Sequence, residues 1–214
     1  MAATTQLLTG LNNHVFICGI TRSGKTYFAK KAAAQIPGPV LFFNIQEEEL
    51  QAPFIECNSS TDVQQLDYML THNYKINFTF KDQSIKEYNA IVAYLLGVLM
   101  RSKAFSERRP VYVVIDEAQL LDGRGLDAAI DVSTRGLARG VRLISITQRP
   151  ALVNKTIYTQ AIEQYIFKLA PSEQQYFKGK GVNYDECARS WAANGEHSYV
   201  FFDGFTLIPR KAIK

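Results

Sequence analysis

The residues with the clearest chemical potential are 19–26, where the sequence reads GITRSGKT and fits the spacing GxxxxGK[ST]. In such a loop the two glycines let the backbone wrap a phosphate, so that successive N–H groups and a helix N-terminus point at it. Lys25 can bridge the β- and γ-phosphates of a nucleotide, and the Thr26 hydroxyl can bind Mg²⁺. A chance match is the alternative, but this segment lies between an apolar strand and a helix, as the chemistry requires. We therefore predict ATP and Mg²⁺ as cofactors, with the nucleotide bound by Gly19, Ile20, Thr21, Arg22, Ser23, Gly24, Lys25 and Thr26.

Two adjacent acids, Asp116 and Glu117, follow the uninterrupted apolar run at residues 111–115. The carboxyl end of a parallel strand is where α/β proteins place ligand-binding groups, so we expect both acids beside the phosphate loop. Asp116 would then bind Mg²⁺, and Glu117 would orient and deprotonate the water that attacks the γ-phosphate. Glu117 could instead cap the following helix. A kinase is a further alternative, although it usually needs a lid and an acceptor pocket, and the paired acids favour hydrolysis.

The elements that would position these groups are short apolar strands alternating with helices. Strands are predicted at 14–18, 40–43, 76–80, 111–115, 141–147 and 164–169, and helices at 25–35, from 61, at 84–103 and at 126–138. Residues 198–202 and 205–208 predict a hairpin that turns at Asp203 and Gly204. The fold class is α/β, a three-layer αβα P-loop NTPase of the RecA/ASCE type with a mainly parallel central sheet and a C-terminal β-hairpin. We expect one domain over residues 1–214, with a core at about 14–169 and a strand-rich extension at about 170–214.

The composition is that of a mildly basic globular chain, with 214 residues, 47% hydrophobic residues and a net charge of +4. This charge permits a nucleic-acid partner without requiring one. The longest apolar stretch, residues 90–100, is about half of what a membrane span needs and predicts a buried helix, so we expect no integral membrane segment. The first residues lack the pattern of a signal peptide, and the three cysteines and three histidines lack the spacing of a metal site. We expect a cytosolic protein whose metal is the nucleotide-bound Mg²⁺.

A third segment, residues 139–150, reads RGVRLISITQRP and predicts a strand that ends in a polar glutamine followed by Arg-Pro. The order of phosphate loop, Asp-Glu strand and this glycine-led strand resembles the FtsK/HerA superfamily of DNA-pumping ATPases over residues 14–169. A chain of this length looks most like the genome-packaging ATPases of tailless viruses that contain an internal membrane. The resemblance implies an ATP-driven double-stranded DNA translocase that forms a homo-hexameric ring and pumps DNA into a preformed capsid. It would act in the host cytoplasm or at the packaging vertex, beside capsid or viral membrane proteins.

The resemblance also implies roles for Gln148 and for an arginine. Gln148 would sense the γ-phosphate or the attacking water, because an amide both donates and accepts hydrogen bonds; an ordinary polar strand end is the alternative. An arginine from one subunit would enter the site of the next and neutralise transition-state charge. Leu137 occupies the family's usual place for it, so Arg135 and Arg139, on either side, are the first choices. The full set of candidates is Arg135, Arg139, Arg142 and Arg149.

Two basic segments could contact DNA phosphates or ring partners, although each could be an ordinary solvated surface. They are the turn at residues 178–181 and the group Arg101, Lys103, Arg108 and Arg109. Other functions remain open: an AAA-type ATPase of transposition or secretion, which residues 115–121 also resemble, and a filamentous-phage morphogenesis ATPase, which normally has a membrane helix. A nucleotide-gated binding module without hydrolysis is a further alternative. AAA-type proteins normally carry a helical lid after the core, where this sequence predicts strands.

Overall fold

The computed structural model describes residues 8, 12–46, 50, 53–61, 63–173, 177 and 182–213. The strands in these residues are β1 Val15–Cys18, β2 Val40–Asn44, β3 Phe54–Cys57, β4 Lys75–Thr79, β5 Val111–Ile115, β6 Val141–Thr147, β7 Glu163–Phe167, β8 Tyr199–Phe202 and β9 Leu207–Arg210. The α-helices are α1 Lys25–Gln35, α2 Val63–Thr71, α3 Ile85–Arg101, α4 Gly123–Arg135, α5 Lys155–Thr159 and α6 Tyr184–Asn194. Apart from β3, which comes after β2 in the order of described elements, strands and α-helices alternate up to β7, as the sequence pattern predicts.

The strands form one sheet in the order β3-β4-β2-β5-β6-β1-β7-β8-β9. All pairs from β3 to β7 are parallel, whereas β7–β8 and β8–β9 are antiparallel. The central strands β5 and β6 are buried along their whole length, since both faces of the sheet are covered. The predicted fold, with its mainly parallel sheet and C-terminal hairpin, is confirmed.

Two hydrophobic cores lie on opposite faces of this sheet. One core packs buried residues of α1 against the strands, and the other packs residues of α2 to α6 against the opposite face. Successive side chains of a strand point to opposite faces of the sheet. Phe42 of β2 therefore packs in the core with α1, while Leu41 and Phe43 pack in the core on the other face. The helices therefore sandwich the sheet and leave the carboxyl ends of its parallel strands as one open edge.

Local sequence signals explain most helix boundaries. Ser84 and Glu87 form a reciprocal capping box at the start of α3, as their spacing predicts. The 17 residues of α3 include the long apolar stretch of the sequence, and one side of it is buried. None of the described helices combines the length and apolar content needed to cross a membrane.

The structure differs from the sequence prediction in several elements. The edge strand β3 and the helices α5 and α6 were not predicted, and β9 begins at Leu207 instead of 205. The N–H groups of Phe205 and Thr206 donate to Asp203 Oδ1, which keeps these two residues in the turn. The basic turn predicted at residues 178–181 lies outside the described residues. In the described C-terminal part, β8 and β9 extend the sheet where an AAA-type protein would carry a helical lid.

Candidate active site

The loop between β1 and α1 is anchored to two neighbouring strands. The Gly19 N–H donates to Thr147 O of β6 at 3.1 Å, and the Ile20 N–H donates to Lys168 O, just after β7, at 2.8 Å. Among the described residues no side chain caps the N-terminus of α1, and its first turn contains no acid. The first N–H groups of α1 are therefore open to an anion, and the helix dipole favours one there.

Two glycines give the loop its shape. A Cβ at Gly19 would lie 2.5 Å from Ser23 Oγ and 2.6 Å from Phe167 Cβ, so only glycine fits between the loop and β7. Gly24 has φ +94, in the left-handed region that a side chain disfavours. Arg22 also has positive φ, at 64°. These conformations curl the loop back on itself before α1 begins.

The loop forms one wall of an open cleft of about 720 Å³. Lys25 lies on this wall and is only 5% exposed. Groups from β2, β5 and β6, all adjacent in the sheet, reach the cleft across their carboxyl ends. The cleft is lined by Thr21, Arg22, Gly24, Lys25, Thr26, Tyr27, Gln46, Glu117, Gln148 and His197.

The acids Asp116 and Glu117 lie where the sequence predicts them, at the carboxyl end of β5. They are 1% and 3% exposed, and Asp116 Oδ1 accepts a hydrogen bond from the Glu117 N–H at 3.0 Å. Glu117 has φ 51, an uncommon conformation for a residue with a side chain. Although Glu117 precedes a 3₁₀ turn at residues 118–120, its carboxylate makes no capping hydrogen bond to that turn. The capping alternative is therefore not what the structure shows.

Three glutamine amides instead surround the Glu117 carboxylate. Gln46, two residues beyond β2, and Gln148, at the end of β6, both donate to Oε1, the latter at 3.3 Å. Gln119, from the 3₁₀ turn, donates to Oε2. Gln148 in turn accepts from the Thr21 hydroxyl of the phosphate loop at 2.7 Å. A continuous hydrogen-bonded path thus joins the phosphate loop, the predicted sensor and the predicted catalytic acid.

The network extends to the last residue of β6. The Thr147 hydroxyl donates to Gln119 Oε1 at 2.6 Å and accepts from the Arg149 N–H at 3.0 Å. Beneath the site, Tyr88 of α3 is almost fully buried. Burial, together with the charges of Asp116 and Glu117, raises the pKa of the Tyr88 hydroxyl, so it stays protonated.

The side chains predicted to bind Mg²⁺ fit that ion by their chemistry. Thr26 offers a hydroxyl at the wall of the cleft, and Asp116 offers a carboxylate at the end of β5. Mg²⁺ prefers oxygen ligands and usually combines one or two protein groups with substrate phosphates and waters. Over the part of the chain that the structure describes, no group of three or more His, Cys, Asp or Glu side chains could hold a metal ion.

The candidate arginines lie in different environments. Arg135 pairs with Asp131 on α4 and its side chain is 71% exposed, and Arg139 is also exposed, before the start of β6. Arg149 is exposed at the cleft side of β6. Arg142 is buried inside β6 and donates to Leu137 O, so its inclusion among the inter-subunit candidates is wrong. The structure does not bring Arg135 or Arg139 to the cleft of their own chain.

The basic group predicted after α3 lies at the opposite side of the sheet from the cleft. Arg101, Lys103, Arg108 and Arg109 are all exposed, and they precede the first residue of β5. The Arg109 guanidinium donates to Thr71 O at the end of α2. These cations are therefore separated from the cleft by the length of the parallel strands.

Sequence reasoning missed four residues of this site. Tyr27, Gln46 and Gln119 were not assigned, and His197 was considered only as a metal ligand. Gln46 had a detectable signal, a polar side chain shortly after an apolar strand. Gln119 is two residues from Glu117, close enough to suspect. His197 comes from a turn 171 positions away from Thr26, and no local pattern indicates it.

Comparisons with solved structures identify similar folds. The chain matches the genome packaging NTPase B204 of Sulfolobus turreted icosahedral virus 2 in complex with ATP-gammaS, with a TM-score of 0.63, 17% identity, and coverage of 94% of this chain and 98% of B204. It matches the DNA-packaging ATPase B204 of Sulfolobus turreted icosahedral virus with a TM-score of 0.64, 15% identity, and coverage of 95% and 98%.

A third match is VirB4 of Thermoanaerobacter pseudethanolicus, with a TM-score of 0.67, 12% identity, and coverage of 97% of this chain and 92% of VirB4. No protein-family model matches the sequence, and no curated protein sequence does. The similarity is therefore one of fold. It agrees with the resemblance seen in the sequence and confirms the fold that this resemblance implied.

Proposed function

We propose that this protein is a Mg²⁺-dependent ATPase that uses hydrolysis to move double-stranded DNA. The observation that carries the proposal is the Glu117 carboxylate, which is buried at the end of β5, points into the same cleft as Lys25, and accepts hydrogen bonds from three amides. A carboxylate held in this way is positioned to accept a proton from water. A nucleotide-gated module without hydrolysis would not need this arrangement.

In the proposed reaction, a water held by Glu117 and Gln148 attacks the γ-phosphorus while the bond to the β,γ-bridging oxygen breaks. Glu117 takes the proton of the water, and ADP and inorganic phosphate leave. Lys25 and the N–H groups of the loop stabilise negative charge on the phosphates. Bound Mg²⁺ would neutralise charge on the β- and γ-phosphates, with Thr26 and Asp116 as its protein ligands.

Gln148 occupies the place of a sensor in this scheme. It contacts Glu117 on one side and Thr21 of the phosphate loop on the other. Loss of the γ-phosphate would change the contacts of both Glu117 and Thr21, so the Gln148 amide would have to rearrange. Because Gln148 lies between β6 and Arg149, its rearrangement would move both. Such a linkage would couple hydrolysis to movement of surfaces outside the cleft.

Two observations support double-stranded DNA as the molecule that this protein moves. They are the sequence resemblance and the fold similarity to proteins named as a genome packaging NTPase and a DNA-packaging ATPase. The net charge of +4 is compatible with phosphate contacts that ignore base sequence. We extend the proposal to a viral packaging motor that works as a homo-hexameric ring, with Arg135 or Arg139 of one subunit serving the next. Such a ring would act at the packaging vertex, in contact with capsid or membrane proteins.

Steady-state ATP hydrolysis tests this function directly. Turnover is measured with and without long double-stranded DNA over a series of salt concentrations, with Glu117→Gln as the blank. We expect DNA to stimulate Glu117-dependent turnover and salt to erode the stimulation, because phosphate contacts release counterions. Turnover that does not respond to DNA at any salt concentration would contradict the translocase proposal, and absence of turnover would contradict the ATPase proposal.

A further inference from the structure

Two kinds of side chain line the cleft. The Glu117 carboxylate accepts hydrogen bonds from the Gln46 and Gln148 amides, and these groups surround the proposed place of the reacting phosphate. The other kind is a pair of ring side chains, Tyr27 and His197. Because the loop would bind the phosphates and Glu117 would act at the γ-phosphate, the nucleoside needs other groups of the cleft, and these two rings offer it their faces.

The His197 ring lies directly against the phosphate loop. A Cβ at Gly24 would be 3.1 Å from His197 Cβ and 3.3 Å from its Nδ1, so the close approach depends on the glycine. His197 has φ 64, a conformation that costs about 1 kcal/mol or more for a residue with a side chain. Its turn is closed by Ser198, whose N–H and hydroxyl both donate to Gly195 O, at 3.3 and 2.7 Å.

Glycine or asparagine would satisfy this turn without a ring. The sequence nevertheless places a histidine there, exposed to solvent and aimed at a binding cleft. Strained backbone conformations cluster at functional sites, so the positive φ of His197 indicates a function for its side chain in the cleft.

Tyr27 is the second ring that lines the cleft. It is 50% exposed in the first turn of α1, and the Lys31 ammonium lies 4.7 Å from its ring centroid. This cation–π contact holds the ring at the cleft. A large aromatic side chain that is half exposed offers apolar area which a flat ligand can cover.

We infer that Tyr27 and His197 form the nucleobase subsite of the cleft, where the base of the bound nucleotide stacks against their rings; this rests on the proposed binding of ATP at the loop. Stacking uses the face of the base, which all bases share. The subsite contributes affinity for the nucleoside and no chemistry to phosphate transfer. Its loss should therefore weaken binding of ATP without weakening binding of the phosphate chain alone.

The test compares ATP with inorganic tripolyphosphate, both with Mg²⁺, by isothermal titration calorimetry of the full chain. In His197→Gly we expect ATP affinity to fall about tenfold, because one stacking partner is removed, while tripolyphosphate affinity stays within about twofold. Tyr27→Ala keeps a good helix former in α1 and should show the same selective loss. Glycine accepts the backbone conformation of His197 without strain, so the variant should remain folded.

The matched control is Asn73→Gly. Asn73 also has positive φ, at 65°, and is exposed, but it follows α2, away from the cleft. Asn73→Gly relieves strain at a positive φ, as His197→Gly does. It should bind ATP and tripolyphosphate with the affinities of the wild type. Equal losses of ATP and tripolyphosphate affinity in His197→Gly, or no loss of ATP affinity, would overturn the subsite. Selective loss in a protein that binds ATP but does not hydrolyse it would support the subsite and contradict the proposed ATPase activity instead.

Discussion

Replacement of Glu117 by glutamine tests the proposed reaction at the atom that takes the proton. An amide oxygen is a very weak base, so the variant loses general-base catalysis, which contributes about 10²- to 10⁴-fold to a rate. The phosphate loop contacts neither carboxylate oxygen directly in the described network, and Lys25 and the loop N–H groups are unchanged. We therefore expect turnover to fall about 10²-fold or more while the affinity for ATP stays within a few-fold.

The hydrogen bonds set the structural cost of this change. Three amide N–H groups point at the two oxygens of Glu117, whereas glutamine offers one oxygen and one NH₂ group. If the new oxygen stays with Gln46 and Gln148, the new NH₂ group faces the donor of Gln119. Gln119 must then reverse its amide and exchange its bond to the Thr147 hydroxyl. One rearranged bond corresponds to about 1–2 kcal/mol of unfolding free energy, too little to unfold a domain.

The assay is phosphate release at saturating ATP, combined with calorimetric binding of ATP to the same preparation. Glu163→Gln is the matched control, since Glu163 is also buried, at 5% exposure. It is the first residue of β7 and lies at the amino end of that strand, whereas Glu117 follows the carboxyl end of β5. It undergoes the same chemical change and should retain turnover. Turnover of Glu117→Gln within about tenfold of the wild-type rate would refute the role of Glu117 as the base.

Three further predictions concern binding and stability. Lys25→Ala should weaken ATP binding about tenfold or more, since charge-assisted hydrogen bonds to the phosphates are lost, and calorimetry would contradict this if the affinity were unchanged. Gly140→Ala should lower the unfolding free energy in denaturant titration by about 3 kcal/mol, because Gly140 has φ +72 and a Cβ there collides with the Ser106 backbone; an unaltered midpoint would show that the loop adapts freely. Burial, with a smaller effect of the Arg142 charge, lowers the pKa of His14 from 6.5 to about 4, so the unfolded chain binds more protons between these values. Unfolding free energy should fall by up to about 3 kcal/mol as the pH falls through this window, and a His14→Gln variant with the same pH slope would disprove the assignment.

Much of the site was predictable because its signals are local. The loop at residues 19–26, the acids after β5 and the glutamine after β6 each follow an apolar strand, and the structure places all three at one edge of the sheet. The long apolar helix was predicted from its capping box and was confirmed as α3. The helix α6 was missed, although Asn183 caps it and Asp185 and Glu186 occupy its first turn. Only Cys187, Ser190 and Trp191 of this helix are buried, so its apolar face is too short to give a clear helical period.

The contact between Gln46 and Glu117 could not be derived from the sequence. Gln46 reaches Glu117 because β2 lies next to β5, although β3, β4 and two helices separate these strands along the chain. No sequence period reports strand order, since every strand that is buried on both faces shows the same apolar run. Gln46 therefore looked like the polar end of an ordinary strand.

The sequence by itself determined which residues carry the proposed chemistry: a loop that can bind phosphates, a carboxylate that can accept a proton and a strand-end amide. It could do so because these functions depend on residue type and on contacts within a few positions of a strand end. Only the tertiary structure decided that three amides hold Glu117, that Arg142 is buried, and that His197 lies against Gly24. Those contacts join residues that are distant in sequence. They arise from strand order and packing, which local sequence patterns do not specify.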